Sequence, residues 1–289
     1  MQDRTIQAFG KKAVMLLSNL EVGVVAAGGL GSLVDKLFAR YGIKNIVICD
    51  PDTIEESNRN RLPGTTPEDV GIFKSIFYAG YLRKIRPDIN VTPITKSFHE
   101  PEVQERFSQV DIIMAGVDTG VRHSINSLSM ANLIPYFDLG AGVKVDDSFI
   151  GGQCCNIIPG RNVCLSCCGL FDRLKREYLS PEFLKGEQAQ GYLTDNTIPN
   201  PLVMHLDYVI AGLGFSEMLK YIWGMGTGDH FQVHANLFTN TLRASHSTSP
   251  GCIICQNTGD LGKGDKVPFL VPATDDDIDV PEAATSSEL

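Results

Sequence analysis

The sequence predicts an α/β protein on a doubly wound, mostly parallel sheet, with a C-terminal zinc-bearing segment. Three observations predict it. The apolar run Val22–Ala27 passes into Gly28, Gly29 and Gly31 and then into helical spacing over Ser32–Tyr41. A second apolar run, Asn45–Cys49, ends on Asp50. Two Cys-x-x-C pairs, Cys164/Cys167 and Cys252/Cys255, stand far apart in the chain. Strand, glycine turn, helix and strand within about 30 residues form the opening βαβ unit of a nucleotide-binding sheet.

The elements follow in order. Residues 1–20 read as an amphipathic helix with Phe9, Val14, Leu16, Leu17 and Leu20 as its apolar positions. Val22–Ala27 is unbroken apolar sequence, as a strand covered on both faces must be. Gly42 closes the next helix as its C′ residue. Residues 54–67 are polar and carry Pro and Gly, so a functional loop is expected. A helix is expected over 71–85, ended by Arg86-Pro87. Val91–Ile94 and Val110–Ala115 read as strands, 119–133 as a helix, and Pro135–Leu139 as the lead into another strand. Residues 145–160 are glycine-rich strand material, and 169–200 are polar and irregular. Residues 203–223 form a long helix through Leu206, Val209, Ile210, Leu213 and Leu219; 229–245 suggest strands.

One domain is therefore expected over residues 1–256. Its nucleotide-binding half is about 1–145, and its substrate-facing, zinc-bearing half about 146–256. Residues 257–289 form an acidic tail, expected to be disordered.

Composition narrows the class. The 289 residues are 43% hydrophobic and 20% charged, ordinary for a globular protein. The net charge of −9 is unevenly placed: Val271–Leu289 holds six acidic residues and no Lys or Arg. Removing those six leaves 28 acidic against 25 basic residues, a net of −3. A nearly neutral body gives no footprint for nucleic acid. No run of about 18 apolar residues suggests a membrane span, and the first residues lack the pattern of a secretory signal. A cytoplasmic location is expected, which favours thiols or metal ligands over disulfides for the eight cysteines.

Phosphates bind at helix starts, where free N–H groups and the helix dipole favour anions. Gly28, Gly29 and Gly31 stand between strand and helix as that requires, with Ala26 where such motifs usually begin with glycine. Taken alone the motif is weak, and a merely tight connection is its alternative reading. Asp50 lies at a distance that suits a carboxylate accepting ribose hydroxyls. On these residues NAD and ATP remain equal alternatives.

The next stretch separates them. Asp50-Pro-Asp52, then Ser57-Asn58 and Arg61, resembles the loop of the ThiF/MoeB and E1-like activating enzymes. Gly71-Ile-Phe-Lys74 matches that family's Gly-x-x-Lys at a helix start, and Asp118-Thr-Gly-Val-Arg122 its Asp-x-x-x-Arg after a strand. The resemblance runs from about residue 4 to residue 256. It implies a Rossmann-like fold and an adenylyltransferase that uses ATP and Mg²⁺. By resemblance, Asp50 takes the ribose, Asn58 a phosphate or the metal shell, and Asp118 the Mg²⁺. Asp52 belongs to the same loop. Arg61 and Lys74 offset the phosphate charge as pyrophosphate leaves. The substrate carboxylate is ionised at neutral pH and needs no base. Singly, Lys74 reads equally as a solvated helix charge and Asp118 as an N-cap; the ordered set carries the argument. An arginine near the N-terminus of this family can reach the neighbouring subunit's ATP, and Arg4 lies in that region, but the match is loose and a solvated surface role fits it better.

Two Cys-x-x-C pairs suit a tetrahedral Zn²⁺, each pair supplying two thiolates. In ThiF/MoeB proteins such a zinc is structural. Many E1 enzymes also carry a thioester-forming cysteine on a crossover loop between the two pairs. Here Gly169–Met204 contains no cysteine, so an enzyme that stops at the adenylate is expected. Cys154 and Cys155 read as packing thiols on a strand; Cys168 adjoins the first zinc pair, leaving one ligand choice open, and is a nucleophile only if it points away from the metal.

The resemblance thus implies adenylation of the Gly-Gly C-terminus of a small ubiquitin-like or sulfur-carrier protein. A conjugating enzyme or sulfurtransferase would act downstream, and a homodimer is usual. Activation of a short ribosomal peptide keeps the chemistry and changes the substrate, but such relatives carry an extra N-terminal clamping domain. An inert scaffold is disfavoured by the full set of site residues. An NAD-dependent oxidoreductase leaves Asn58, Arg61 and the zinc pairs unexplained.

Overall fold

The computed structural model describes residues 2–117, 119–144, 149–161, 163–168, 203–225, 231–246, 252, 254–256 and 259–264. Its sheet has eight strands: β1 Glu21–Val25, β2 Asn45–Cys49, β3 Asn90–Ile94, β4 Ile112–Ala115, β5 Tyr136–Lys144, β6 Phe149–Ile157, β7 Gln232–Asn236 and β8 Thr241–Ser245. They lie in the order β3-β2-β1-β4-β5-β6-β7-β8. The first five are parallel, and β6, β7 and β8 join antiparallel. The chain leaves β1 toward β2 and β3, then returns to β4 on its other side. That reversal opens a crevice at the carboxyl ends of β1, β2 and β4, where open α/β sheets bind ligands.

Successive strand residues face opposite layers, and both layers are covered. Val22, Val24, Ile46, Ile48, Ile112 and Met114 enter one core; Val25, Val47, Cys49, Ile113 and Ala115 enter the other. This explains the unbroken apolar runs. The first core is closed by α3 (Gly29–Tyr41), α4 (Lys74–Ile85) and α7 (Met204–Trp223), through Phe38, Leu82, Phe215 and Met218. The second is closed by α5 (Pro101–Phe107) and α6 (Thr119–Asn132), through Phe107, Ile125 and Leu128. The doubly wound prediction therefore holds.

Several boundaries differ from those expected. The N-terminal helix is two helices, α1 (Asp3–Phe9) and α2 (Lys11–Asn19). Gly10 breaks it by taking φ +85°, ψ 156°. The helix after the turn starts at Gly29, because the glycines form its first turn. The helix expected from residue 71 starts at Lys74; Gly71–Ile72 instead pair with Ile54, and a β-bridge joins Thr53 to Phe73. Helix α5 was not anticipated, although Pro101 at its first position and the i,i+4 pair Val103/Phe107 signal it. Residues 259–264, expected in the tail, return to the body: the Gly262 N–H donates to the Met130 carbonyl at 3.0 Å. Among the described residues, no helix is long and apolar enough to cross a membrane. The polar segment 169–200 and the tail beyond 264 lie outside the described residues.

Candidate nucleotide site and four-cysteine centre

The β1–α3 connection sits at the crevice. Ala26 takes a left-handed conformation, φ +72°, where L side chains are strained and glycine is favoured. Its N–H donates to the Cys49 carbonyl at 2.8 Å. Its own carbonyl folds over the first turn of α3, so that a Cβ on Gly31 would drive into that oxygen. Gly31 is thus required by the fold. Gly28 is different: a Cβ there would meet nothing. The first N–H groups of α3 have no intrahelical acceptors. A helix start with such donors suits an anion.

Asp50 ties the turn to the following loop. Its Oδ2 accepts the Ala27 N–H at 2.7 Å and its Oδ1 the Asp52 N–H at 2.8 Å. Burial raises its carboxyl above the ordinary range; Lys74 and the two N–H donors pull the other way. Lys74, the first residue of α4, is brought beside the loop by its backbone bond to the Asp52 carbonyl, and its Nζ meets Asp52 Oδ2 at 2.9 Å. Lys74 is buried, whereas the Asp52 carboxylate is open to solvent. Ser75 Oγ donates to the Asp50 carbonyl at 3.2 Å. Asn58 is buried, and its Oδ1 accepts the Glu55 N–H at 3.1 Å, capping the short 3-10 turn Glu56–Asn58. Arg61 lies past that turn, its Cδ bordering Gly29.

The structure therefore brings Gly28, Gly29, Gly31, Asp50, Asp52, Asn58, Arg61 and Lys74 to one end of the sheet. Asp118, expected to join them, lies outside the described residues. Arg4 is exposed on α1, with no hydrogen bond or ion pair among the described residues. Arg122 takes a buried role: its Nε donates to Asp138 Oδ1 at 3.0 Å and its Nη2 to the Leu139 carbonyl at 2.9 Å. Tyr136 also donates to Asp138 Oδ1, at 2.6 Å. One residue at the site was missed by sequence reasoning. Asp207, in the first turn of α7, presses its carboxylate against Gly29.

Away from the crevice the two Cys-x-x-C pairs converge. The Sγ atoms of Cys164, Cys167, Cys252 and Cys255 all lie within 4.8 Å of one another. Cys164–Cys167 is 3.9 Å, Cys164–Cys252 3.8 Å and Cys167–Cys255 3.4 Å. Four thiolates about 2.3 Å from a tetrahedral Zn²⁺ stand about 3.8 Å apart, so the group could hold zinc. It joins the segment after β6 to the segment after β8. Cys49, Cys154 and Cys155 are buried, and burial pushes Cys49 up to about 12. The Cys168 side chain lies outside the described residues.

The ThiF family profile matches residues 2–252, and this chain belongs to the ThiF family. Among curated proteins it is similar to the ubiquitin-like modifier-activating enzyme 5 of Dictyostelium discoideum, 28% identical over 71% of this chain and 58% of that protein. It is also similar to the SAMP-activating enzyme E1 of Haloferax volcanii, 30% identical over 50% of this chain and 51% of that protein. The chain thus spans a little over half the length of these relatives. Among solved structures, E. coli MccB with ATP superposes with a TM-score of 0.67 at 20% identity, covering 84% of this chain and 69% of MccB. MccB with selenomethionine MccA gives 0.72 at 19% identity, covering 88% and 73%. These likenesses concern the fold.

Proposed function

We propose that this protein uses ATP and Mg²⁺ to adenylate the C-terminal carboxylate of a small ubiquitin-like or sulfur-carrier protein ending in Gly-Gly, releasing pyrophosphate and stopping at the adenylate. The observation that carries it is the open cradle over Gly28. Helix α3 begins beside it, Asp50 bonds the turn that forms its rim, and Lys74 and Arg61 supply cations nearby. Of the curated relatives, one is named a ubiquitin-like modifier-activating enzyme and the other a SAMP-activating enzyme E1, which supports a protein substrate.

The side chains divide the work. The α3 start holds phosphate through backbone donors that need no rearrangement. Asp50 retains lone pairs for ribose hydroxyls while its bonded oxygens keep the turn in shape. Lys74 exchanges Asp52 for a phosphate oxygen, and Arg61 approaches from the α7 side. Both then neutralise the charge that grows on the leaving pyrophosphate. Asp118 and the freed Asp52 carboxylate are hard oxygen donors that fit Mg²⁺, which when bound would screen the phosphates from the incoming carboxylate. The four cysteines would hold a structural Zn²⁺, and the protein would act as a cytoplasmic homodimer. With Cys49, Cys154 and Cys155 buried and no cysteine in Gly169–Met204, the adenylate passes to a nucleophile on a second protein.

The test incubates purified protein with ATP, Mg²⁺ and a Gly-Gly-ending carrier and resolves the products on a nonreducing gel and by mass spectrometry. A carrier heavier by one AMP, with no thioester band, is expected. A thioester to this chain would overturn the claim that it stops at the adenylate. Modification of a short peptide but of no carrier protein would move the substrate to the peptide class.

A further inference from the structure

Asp207 lies in a helix otherwise read by its apolar spacing. Its side chain is wholly buried, and neither carboxylate oxygen has a hydrogen-bond partner among the described residues. A Cβ built on Gly29 would land on its Oδ2, so the carboxylate lies against the first helical residue of α3. Burial pushes this carboxyl up to about 6, and Arg61 pulls it the other way. It therefore stays largely ionised at neutral pH. Its own position in the first turn of α7 gives it some dipole support.

An anion at this point conflicts with an anion cradle. The start of α3 favours negative charge, yet a fixed carboxylate already stands beside it. A bare triphosphate entering over Gly28 would meet that carboxylate in a water-poor setting, where like charges repel strongly. Of the two cations at the site, Lys74 is paired with Asp52, and Arg61 makes no hydrogen bond to Asp207. The arrangement lacks one positive charge, which a cation arriving with the triphosphate would supply through space.

We propose that Asp207 is a selectivity residue of the nucleotide site, admitting a triphosphate that carries a divalent cation and repelling the bare polyanion. This rests on the nucleotide reading of the glycine turn.

The test is calorimetric binding of a non-hydrolysable ATP analogue to the full chain, with and without added Mg²⁺. Chelator is omitted so that the four-cysteine centre is left alone. The wild type should bind the Mg²⁺ complex at least about tenfold more tightly than the free analogue. Asp207→Asn should bind the free analogue about tenfold better than the wild type does, narrowing the gap, and Asp207→Ser should repeat the pattern. The unliganded Asp207→Asn protein should melt at a higher temperature, because an uncompensated buried charge is gone. An equal change in affinity with and without Mg²⁺, or none, would overturn the inference. So would a lower melting temperature, which would make Asp207 a structural partner of Arg61. A wild type that binds the analogue in neither condition would instead remove the nucleotide reading itself.

Discussion

Replacing Gly28 and Gly31 by alanine should separate the fold's demand for glycine from the ligand's. At Gly31 the new methyl meets the Ala26 carbonyl oxygen, a backbone atom that cannot rotate away. Overpacking of that kind costs about 1–3 kcal/mol, and the helix-propensity gain of alanine returns about 1 kcal/mol. Gly31→Ala should therefore lose up to about 2 kcal/mol, or several degrees of melting temperature. At Gly28 the backbone is extended, φ −76°, ψ −155°, and the methyl meets nothing. Gly28→Ala should be neutral or stabilising by up to about 1 kcal/mol, through the unfolded chain. Its methyl would nevertheless project into the space assigned to phosphate, and ATP affinity should fall at least about tenfold, or about 1.4 kcal/mol. Thermal melts with titration of a fluorescent ATP analogue read both effects. Undiminished affinity in a stable Gly28→Ala protein would refute the placement of phosphate over that glycine.

Three further outcomes are expected. The folded-state carboxyl of Asp207 lies near 6 against an ordinary 3.8, so its contribution to stability is present below pH 3.8 and lost as pH rises through 6. That amounts to about 3 kcal/mol, and Asp207→Asn should flatten this part of a denaturation-versus-pH curve and be the more stable protein at pH 7. Removing Arg122 leaves Asp138 buried with the hydroxyl of Tyr136 as its remaining side-chain partner; Arg122→Ala should cost about 3–5 kcal/mol by urea denaturation, with melted protein at 37 °C as the visible sign. Metal analysis should find one zinc per chain, absent from Cys252→Ser, and chelation should lower the melting temperature with ATP present or not.

The opening βαβ unit was legible because a strand covered on both faces leaves a plain apolar run, and Asp50 marks where that run ends. Lys74 was singled out by the resemblance of Gly71–Lys74 to a family motif, although the helix was expected from residue 71 and starts three residues later. The two cysteine pairs were legible because zinc chemistry imposes a short local spacing on each. Tertiary conflicts were not legible. The split at Gly10 turns on a single left-handed residue. Helix α5 is short, and its apolar content is little more than Val103 and Phe107. Asp207 lies far from Gly29 in sequence, flanked by the core residues Leu206 and Ile210 that made α7 look purely apolar. An acidic residue one position from a core leucine was the available signal; its meaning depends on where α3 and α7 meet.

ATP–pyrophosphate exchange with Gly-Gly-ending carriers tests the central claim most directly, with Asp118→Ala as the control. The account predicts label exchange that requires the carrier and is lost in the Asp118→Ala protein. Measurable ATP binding with no exchange for any carrier would contradict it.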